Sequence, residues 1–309
     1  MALCATFAIH KMNSVSALHF FNLTHEHQLW TAPLGRLFKR ASTMGFRCLL
    51  CCLSSLFVVA SNGHAAVVHL AVASNFAKPI QVLAADFEAS HAHQVQVSLG
   101  STGKLFAQIQ HGAPFDVLMA ADQRRPALLE QKGQAVPGSR RTYATGRLVL
   151  WSADPQRLTQ SKAADSWPSD ADRLAESERG AIANPKLAPY GAAAEQVLQR
   201  AGVWDNWRTR LVTGENIAQT HQFVATGNAA MGLVARSQVM EGDRMVSGSG
   251  WPVPETWHAP IAQDIALLNR AQDNPAAAAW MRYISSPRAA ALIRAAGYGM
   301  GNASDRRVP

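Results

Sequence analysis

Cysteine is confined to the start of this sequence, and its absence elsewhere excludes two kinds of chemistry. All four cysteines of the 309-residue chain lie at or before Cys52. Beyond that residue the sequence offers no partner for a disulfide and no thiolate to bind a metal.

The familiar catalytic motifs are also missing. The sequence contains no G-x-S-x-G nucleophile elbow and no H-E-x-x-H zinc helix. The stretch GSTGKL departs from a phosphate-binding loop at two positions, because Ser98 stands where that loop requires glycine and Leu105 where it requires serine or threonine. We therefore predict no catalytic residue and a protein that is not an enzyme.

Isolated polar residues do not change this prediction. His91 and His93 form a pair in a predicted turn, but no third metal ligand lies nearby in the sequence. Asp116 and Asp122 bracket a short predicted strand, and solvation or helix capping explains them better than a catalytic carboxylate pair does. We expect no cofactor and no bound metal cation.

The positive net charge does not indicate a nucleic-acid partner. The chain carries a formal charge of +8, but five of its basic residues and only one acid lie in the first 65 residues. In the remainder no run of five basic residues occurs, and charges of both signs alternate along predicted helices. A solvated surface explains this pattern, so we expect no nucleic-acid partner.

The first 65 residues have the pattern of an export signal. A basic region precedes thirteen apolar or small residues, Cys48 to Ala60, and further small residues follow them. The apolar run is short for a membrane span, although a buried helix or a signal anchor would also fit it. We predict removal of this segment near Ala65 or Ala66, with translation starting at Met1 or at Met44.

Downstream of residue 66, short apolar runs alternate with amphipathic stretches. The apolar runs predict strands, and the stretches with a helical period predict helices. Alternation at this spacing is typical of a parallel, doubly wound α/β sheet. The run 146–153 is a candidate crossing into a second domain, and 260–270 is predicted to be a strand that returns to the first. The other predicted strands include 66–73, 94–100, 115–121, 209–213 and 229–235.

Four places share one form, a predicted strand that ends in small or polar residues just before a helix begins. A helix N-terminus exposes unpaired N–H groups and a partial positive charge, so it binds an anion without any charged side chain. In open α/β sheets, ligands gather at the carboxyl ends of the strands. Helix capping alone would explain each place separately. The four places are Ser74–Asn75, Gly100–Lys104, Asn184–Gly191 and Thr213–Gln219.

Several multi-residue motifs occur together in one order, among them AVASNFAKPI, GSTGKLFAQIQ, IANPKLAPYG and VTGENIAQ. With these motifs the chain from Val67 to about Gly301 resembles the periplasmic molybdate-binding proteins of ABC importers. The resemblance implies a type II periplasmic binding protein fold, with two doubly wound α/β domains joined by a hinge. We expect domain I to contain residues 66–146 and 261–309, and domain II residues 147–260, after the removable segment 1–65.

The resemblance also implies a set of ligand contacts. Tyr190 and Ile217 would contribute mainly through backbone N–H groups. Some members of the family place a binding tyrosine where this chain has Ala235, and we expect Asn75 to replace it. The implied contacts to molybdate or tungstate are Ser74, Asn75, Ser101, Thr102, Tyr190 and Ile217.

The expected function is capture of molybdate or tungstate in the periplasm by a monomer, which delivers it to the membrane permease of an ABC importer. A receptor for sulfate or another tetrahedral oxyanion is the alternative within this class. An enzyme for phosphoryl or sulfuryl transfer would need a nucleophile or a metal that the sequence lacks. The sensor domain of a transcription regulator would begin with a helix-turn-helix rather than with an export segment.

Overall fold

The computed structural model describes residues 65–158, 166–172 and 178–300. The predicted export signal and both predicted starts, Met1 and Met44, lie outside these residues. Within the described ranges, no helix combines the length and the apolar character needed to cross a bilayer.

Strands and helices alternate along the described residues, as the hydrophobic pattern predicts. The strands are β1 (Val67–Ala73), β2 (Gln94–Gly100), β3 (Val117–Met119), β4 (Arg141–Gly146), β5 (Leu148–Ser152), β6 (Gly180–Ala183), β7 (Leu211–Gly214), β8 (Met231–Ala235), β9 (Met240–Glu241), β10 (Arg244–Met245), β11 (Ser249–Pro252) and β12 (Ile261–Leu267). The helices are α1 (Ala77–Ser90), α2 (Thr102–Gln110), α3 (Arg124–Gln131), α4 (Ser169–Asp172), α5 (Pro189–Arg200), α6 (Trp204–Arg208), α7 (Ile217–Ala225), α8 (Arg236–Val239), α9 (Pro275–Ile284) and α10 (Pro287–Ala295).

Two five-stranded sheets organise these elements. The first has the order β2-β1-β3-β12-β4, and the second has the order β11-β5-β8-β6-β7. We call the first sheet with α1–α3, α9 and α10 lobe 1, and the second sheet with α4–α8 lobe 2. The chain passes from lobe 1 to lobe 2 at Arg147, between β4 and β5, and it returns between β11 and β12. The domain boundaries expected from the sequence stay a prediction.

The doubly wound α/β fold class is confirmed, but neither sheet is fully parallel. Strand β12 runs antiparallel to both β3 and β4, and β5 runs antiparallel to both β8 and β11. Strands β5 and β12 each come directly after a passage of the chain from one lobe to the other. Strand β4 directly precedes β5, so the predicted strand 146–153 covers only the second member of this pair.

The lobes form because the apolar spacing of each helix matches the sheet that it covers. In α1, the residues Ile80, Leu83 and Phe87 recur three and four positions apart, lie on one face and are buried in the core of lobe 1. Apolar side chains of β1 and the aromatic ring of Trp280 on α9 complete that core. Lobe 2 has its own apolar core, in which Trp207 is fully buried.

Candidate functional site

All six residues expected to contact a ligand line one cavity between the two lobes. The lining comes from the carboxyl ends of strands and from the starts of the helices that follow them. The carboxyl ends of the parallel strands therefore converge on the cavity, as this type of sheet predicts. The lining residues are Ala73, Ser74, Asn75, Gly100, Ser101, Thr102, Ala121, Ala188, Pro189, Tyr190, Asn216 and Ile217.

The cavity is small, and the residues expected to contact a ligand are nearly buried. About 10 Å³ is open to the centre of a water molecule, which is roughly the room of one water. The six predicted contacts are between 1% and 5% exposed. In this closed form the cavity has no room for a sugar or a peptide, and only a small ligand could occupy it after a slight separation of its walls. Because its lining residues come from both lobes, separation of the lobes would open it.

Three helices begin at the cavity with unpaired backbone donors. Thr102 and Ile217 are the first residues of α2 and α7, and Tyr190 is the second residue of α5. Within the described residues, the N–H groups of these three residues donate to no protein acceptor. Their neighbours are satisfied, because Asn216 Oδ1 accepts from the next two N–H groups of α7 at 3.0 and 3.1 Å. The free N–H groups and the positive helix ends favour an anion.

The hydroxyl groups of lobe 1 keep their hydrogens available. Thr102 Oγ1 accepts from the N–H of Ala121 at 3.0 Å, and Ser101 Oγ accepts from the N–H of Lys104 at 3.4 Å. A hydroxyl that accepts one hydrogen bond still has its own hydrogen to donate. Within the described part of the chain, Ser74 Oγ makes no hydrogen bond to protein. Lobe 1 thus offers up to three hydroxyl donors.

Asn75 is bonded in a way that the sequence did not indicate. Its Nδ2 donates to Gln263 Oε1 at 2.9 Å and to Tyr298 Oη at 3.0 Å. Its backbone oxygen accepts from Tyr298 Oη at 2.7 Å and from Ser237 Oγ of lobe 2 at 3.1 Å. Both amide hydrogens are therefore used by the protein. The expected contact from this amide to a ligand stays a prediction, and it would require one of these bonds to break.

The Tyr190 phenol lies in the same buried network, so its hydroxyl group is not directed at an anion in the cavity. Its Oη lies 3.4 Å from Asn75 Nδ2 and 3.3 Å from Gln263 Nε2. Tyr190 Oη also packs closely against Gly146, next to the point where the chain passes from lobe 1 to lobe 2. A Cβ on Gly146 would lie 2.1 Å from this Oη. Burial raises the pKa of the Tyr190 phenol well above its ordinary value, so the group is neutral at physiological pH. A ligand contact through the backbone N–H of Tyr190 is compatible with this arrangement.

No charged side chain lines the cavity among the residues that the structure describes. Charged and polar groups instead connect the lobes around it. Lys104 Nζ lies 2.7 Å from Glu215 Oε2, and Arg125 Nη2 donates to the backbone oxygen of Lys186 at 3.0 Å. The N–H of Gly103 donates to the backbone oxygen of Leu187 at 2.9 Å. These bonds hold the cleft closed.

The remaining polar residues singled out in the sequence have structural partners. Asp116 accepts from the N–H of His69 at 2.8 Å and pairs with Arg270 at 2.6 Å. Asp122 accepts from the N–H of Arg125 at 2.9 Å, at the start of α3. His91 and His93 stack against the ring of Phe87. No group of three or more metal-binding side chains is found in the described ranges.

Sequence reasoning missed the network that connects the lobes behind the cavity. Gln263 and Asn75 are 188 residues apart, and Tyr298 and Asn75 are 223 residues apart. Tyr143 Oη also donates to Gln263 Oε1, at 3.2 Å. Nothing in the sequence indicated the partners of Tyr298.

Comparison with known proteins relates this architecture to a family. Residues 68–299 match the family described as bacterial extracellular solute-binding protein. The molybdate-binding protein ModA of Azotobacter vinelandii is 46% identical over 243 residues, which cover 79% of this chain and 94% of that protein. The molybdate-binding protein ModA of Rhodobacter capsulatus is 43% identical, covering 74% of this chain and 86% of that protein.

A solved structure extends the likeness to three dimensions. The periplasmic molybdate-binding protein of Azotobacter vinelandii superposes with a TM-score of 0.70 and is 35% identical in the structural alignment. The alignment covers 76% of this chain and all of that protein. The likeness therefore extends over most of the chain.

Proposed function

This chain belongs to the bacterial extracellular solute-binding proteins, in the group of the periplasmic molybdate-binding proteins of ABC importers, and we propose that it captures molybdate or tungstate in the cavity between its lobes. In this proposal it delivers the oxyanion to the membrane permease of an ABC importer. The proposal is supported by two molybdate-binding relatives that are more than 40% identical over most of the chain.

One observation carries the choice of ligand class. A small buried cavity without charged side chains is surrounded by unpaired N–H groups of three helix starts and by the hydroxyl groups of lobe 1. A hydrogen bond to a charged acceptor contributes about 1.5–3 kcal/mol, so about six such donors offset desolvation of an anion and the ordering of the lobes. We propose Ser74, Asn75, Ser101, Thr102, Tyr190 and Ile217 as the contacts.

Binding without turnover is the activity that this cavity favours. No histidine, aspartate or glutamate lines it among the described residues, so no base is in place to activate the hydroxyl of Ser74 or Thr102. The donors come from both lobes, so opening the cleft separates them into two incomplete sets. This separation lowers the affinity and favours release to a permease.

Calorimetric titration of the exported protein with molybdate, tungstate and sulfate tests the proposal. We expect one-to-one binding of molybdate and tungstate, and no heat from sulfate. Sulfate binding at similar affinity would retain the receptor role but replace the ligand. The absence of binding to all three oxyanions would overturn the proposal.

We also propose that the mature protein begins near Ala65 or Ala66 and acts as a monomer in the periplasm. Strand β1 begins at Val67, so cleavage near Ala65 or Ala66 would leave the first strand of lobe 1 intact. N-terminal sequencing of protein purified from a periplasmic extract tests the cleavage site. Light scattering of the same sample tests the oligomeric state, and a dimer mass would contradict it.

A further inference from the structure

Gly103 lies where the start of α2 meets the opposite lobe. It directly follows Thr102, and its N–H donates to the backbone oxygen of Leu187 at 2.9 Å. An ideal Cβ at this position would lie 3.0 Å from that oxygen, and 3.1 Å from both Leu187 Cα and Arg125 Nη2. Gly103 is not among the glycines with positive φ, so the backbone itself would accept any L-residue. Space across the cleft, rather than backbone conformation, therefore restricts the side chain at this position.

The partner of Gly103 belongs to the segment that positions the donor of lobe 2. Leu187 lies three residues before Tyr190, whose N–H is a proposed ligand contact at the start of α5. Gly103 itself follows Thr102, a proposed contact of lobe 1. The separation between Gly103 and Leu187 therefore controls the distance between donors on opposite sides of the cavity.

This contact exists only while the cleft is closed. The cavity lining is nearly buried, so the lobes must separate for a ligand to enter. Separation would break the bond between Gly103 and Leu187 and remove the steric restriction at the same time. A methyl group at residue 103 would then oppose the closed form, while within lobe 1 it would meet only the flexible end of the Arg125 side chain.

We infer that Gly103 is a positioning residue that permits the final approach of the two lobes, and that the missing Cβ is what lets the oxyanion shell close fully. This inference rests on the proposed function. The backbone of Leu187 would have to move by a few tenths of an ångström to accommodate a Cβ. That movement displaces the Tyr190 segment from the ligand.

The test compares Gly103→Ala with wild type and with Gln108→Ala, an exposed position on the same helix. Molybdate affinity is measured by calorimetric titration, and Tm is measured with and without molybdate. We expect the Kd of Gly103→Ala to rise about tenfold or more, as when one donor to a charged acceptor is displaced. Its Tm without ligand should equal or exceed that of wild type, because alanine favours a helix over glycine. Gln108→Ala should bind as wild type does.

A larger side chain at residue 103 shows whether the loss of affinity increases with side-chain size. Gly103→Val should bind molybdate more weakly than Gly103→Ala, because it extends further toward Leu187. Wild-type affinity in Gly103→Ala would overturn the inference and leave the proposed function in place. A much lower Tm of ligand-free Gly103→Ala would also overturn it, because the glycine would then be needed for folding. Failure of wild type to bind any oxyanion would remove the proposed function and this inference with it.

Discussion

Lobe 1 and lobe 2 have the same strand pattern, but they present different chemical groups to the cavity. In each sheet three parallel strands lie beside an antiparallel strand, and a fifth strand follows at the edge. Lobe 1 contributes the hydroxyl groups of Ser74, Ser101 and Thr102. Lobe 2 contributes the N–H groups of Tyr190 and Ile217, whose side chains are buried in protein. Lobe 1 thus offers side-chain donors together with the N–H of Thr102, whereas lobe 2 offers backbone donors.

The difference matters for how each half of the site depends on sequence. A hydroxyl donor is lost when its residue changes, whereas a backbone donor stays as long as the helix start keeps its position. In lobe 2 that position is held by Asn216, which caps α7, and by Gly191, which packs the start of α5 against β6. Lobe 2 residues therefore support binding through structure, and lobe 1 residues support it through direct contact.

Two glycines show the same contrast. Gly103 in lobe 1 and Gly191 in lobe 2 each directly follow a proposed backbone donor. A Cβ on Gly103 would meet the opposite lobe, whereas a Cβ on Gly191 would lie 2.2 Å from the backbone oxygen of Ala183 in its own lobe. The first glycine affects closure, and the second affects the fold of its lobe.

Gly191→Ala should have the largest effect and provides the strongest test of this contrast. Because the added methyl overlaps backbone atoms of β6, we expect the free energy of unfolding to fall by about 3 kcal/mol, with loss of oxyanion binding. Urea denaturation followed by tryptophan fluorescence measures the change. Gly103→Ala is the matched control and should unfold like wild type. Equal destabilisation by both substitutions would show that the two glycines do not differ in this way.

Side-chain substitutions at the cavity should change the molybdate affinity differently in the two lobes. Ser74→Ala and Thr102→Ala each remove a hydroxyl donor, so we expect molybdate binding to weaken by about 1–3 kcal/mol. Ile217→Val keeps the N–H, so binding should stay the same, while the free energy of unfolding falls by about 1 kcal/mol. Calorimetric titration and urea denaturation measure the two quantities. If Ile217→Val weakened binding as much as Ser74→Ala, a backbone role for residue 217 would be wrong.

The network that connects the lobes should make stability sensitive to alkaline pH. Burial raises the pKa of Tyr298 to about 12, from an ordinary 10.0. The folded state then holds the phenolic proton more tightly than the unfolded chain does, so this contribution is complete below pH 10.0 and decreases as pH rises toward 12. We expect a loss of about 2 kcal/mol over this interval.

Tyr298→Phe is the control for this pH effect. Urea denaturation at a series of alkaline pH values should show a shallower decrease for this variant than for wild type. Tyr143 and Tyr190 also have raised pKa values through burial, so part of the decrease should remain. Identical slopes in the two proteins would exclude Tyr298 as a source.

The exposed ion pair across the cleft should have the smallest effect. The side chains of Lys104 and Glu215 are 49% and 59% exposed, so solvent screens their attraction. We expect Glu215→Gln to weaken molybdate binding by about 0.5 kcal/mol at low salt and not at all in about 0.5 M salt. Glu241→Gln, which breaks the pair with Arg244 inside lobe 2, is the control. A salt-independent loss would show that Glu215 acts in another way.

Local patterns were sufficient for much of the fold and for finding the site. Strand β2 was predicted with the same bounds as observed, because apolar spacing and helix-breaking residues act within short stretches. The predicted cavity residues were found together because each ends a strand or begins a helix. The antiparallel directions of β5 and β12 were not predicted, since strand direction depends on where the chain crosses between sheets.

The sequence by itself determined which stretches become strands and helices, and which polar residues stand at the strand ends, because these features depend on neighbours a few positions away. Tertiary structure alone decided the bonds of Asn75, whose partner Tyr298 is 223 residues distant. It also decided that the Gly103 N–H meets Leu187 across the cleft. Such contacts join residues that are far apart in the sequence, within lobe 1 or across the cleft, so no local pattern of residues records them.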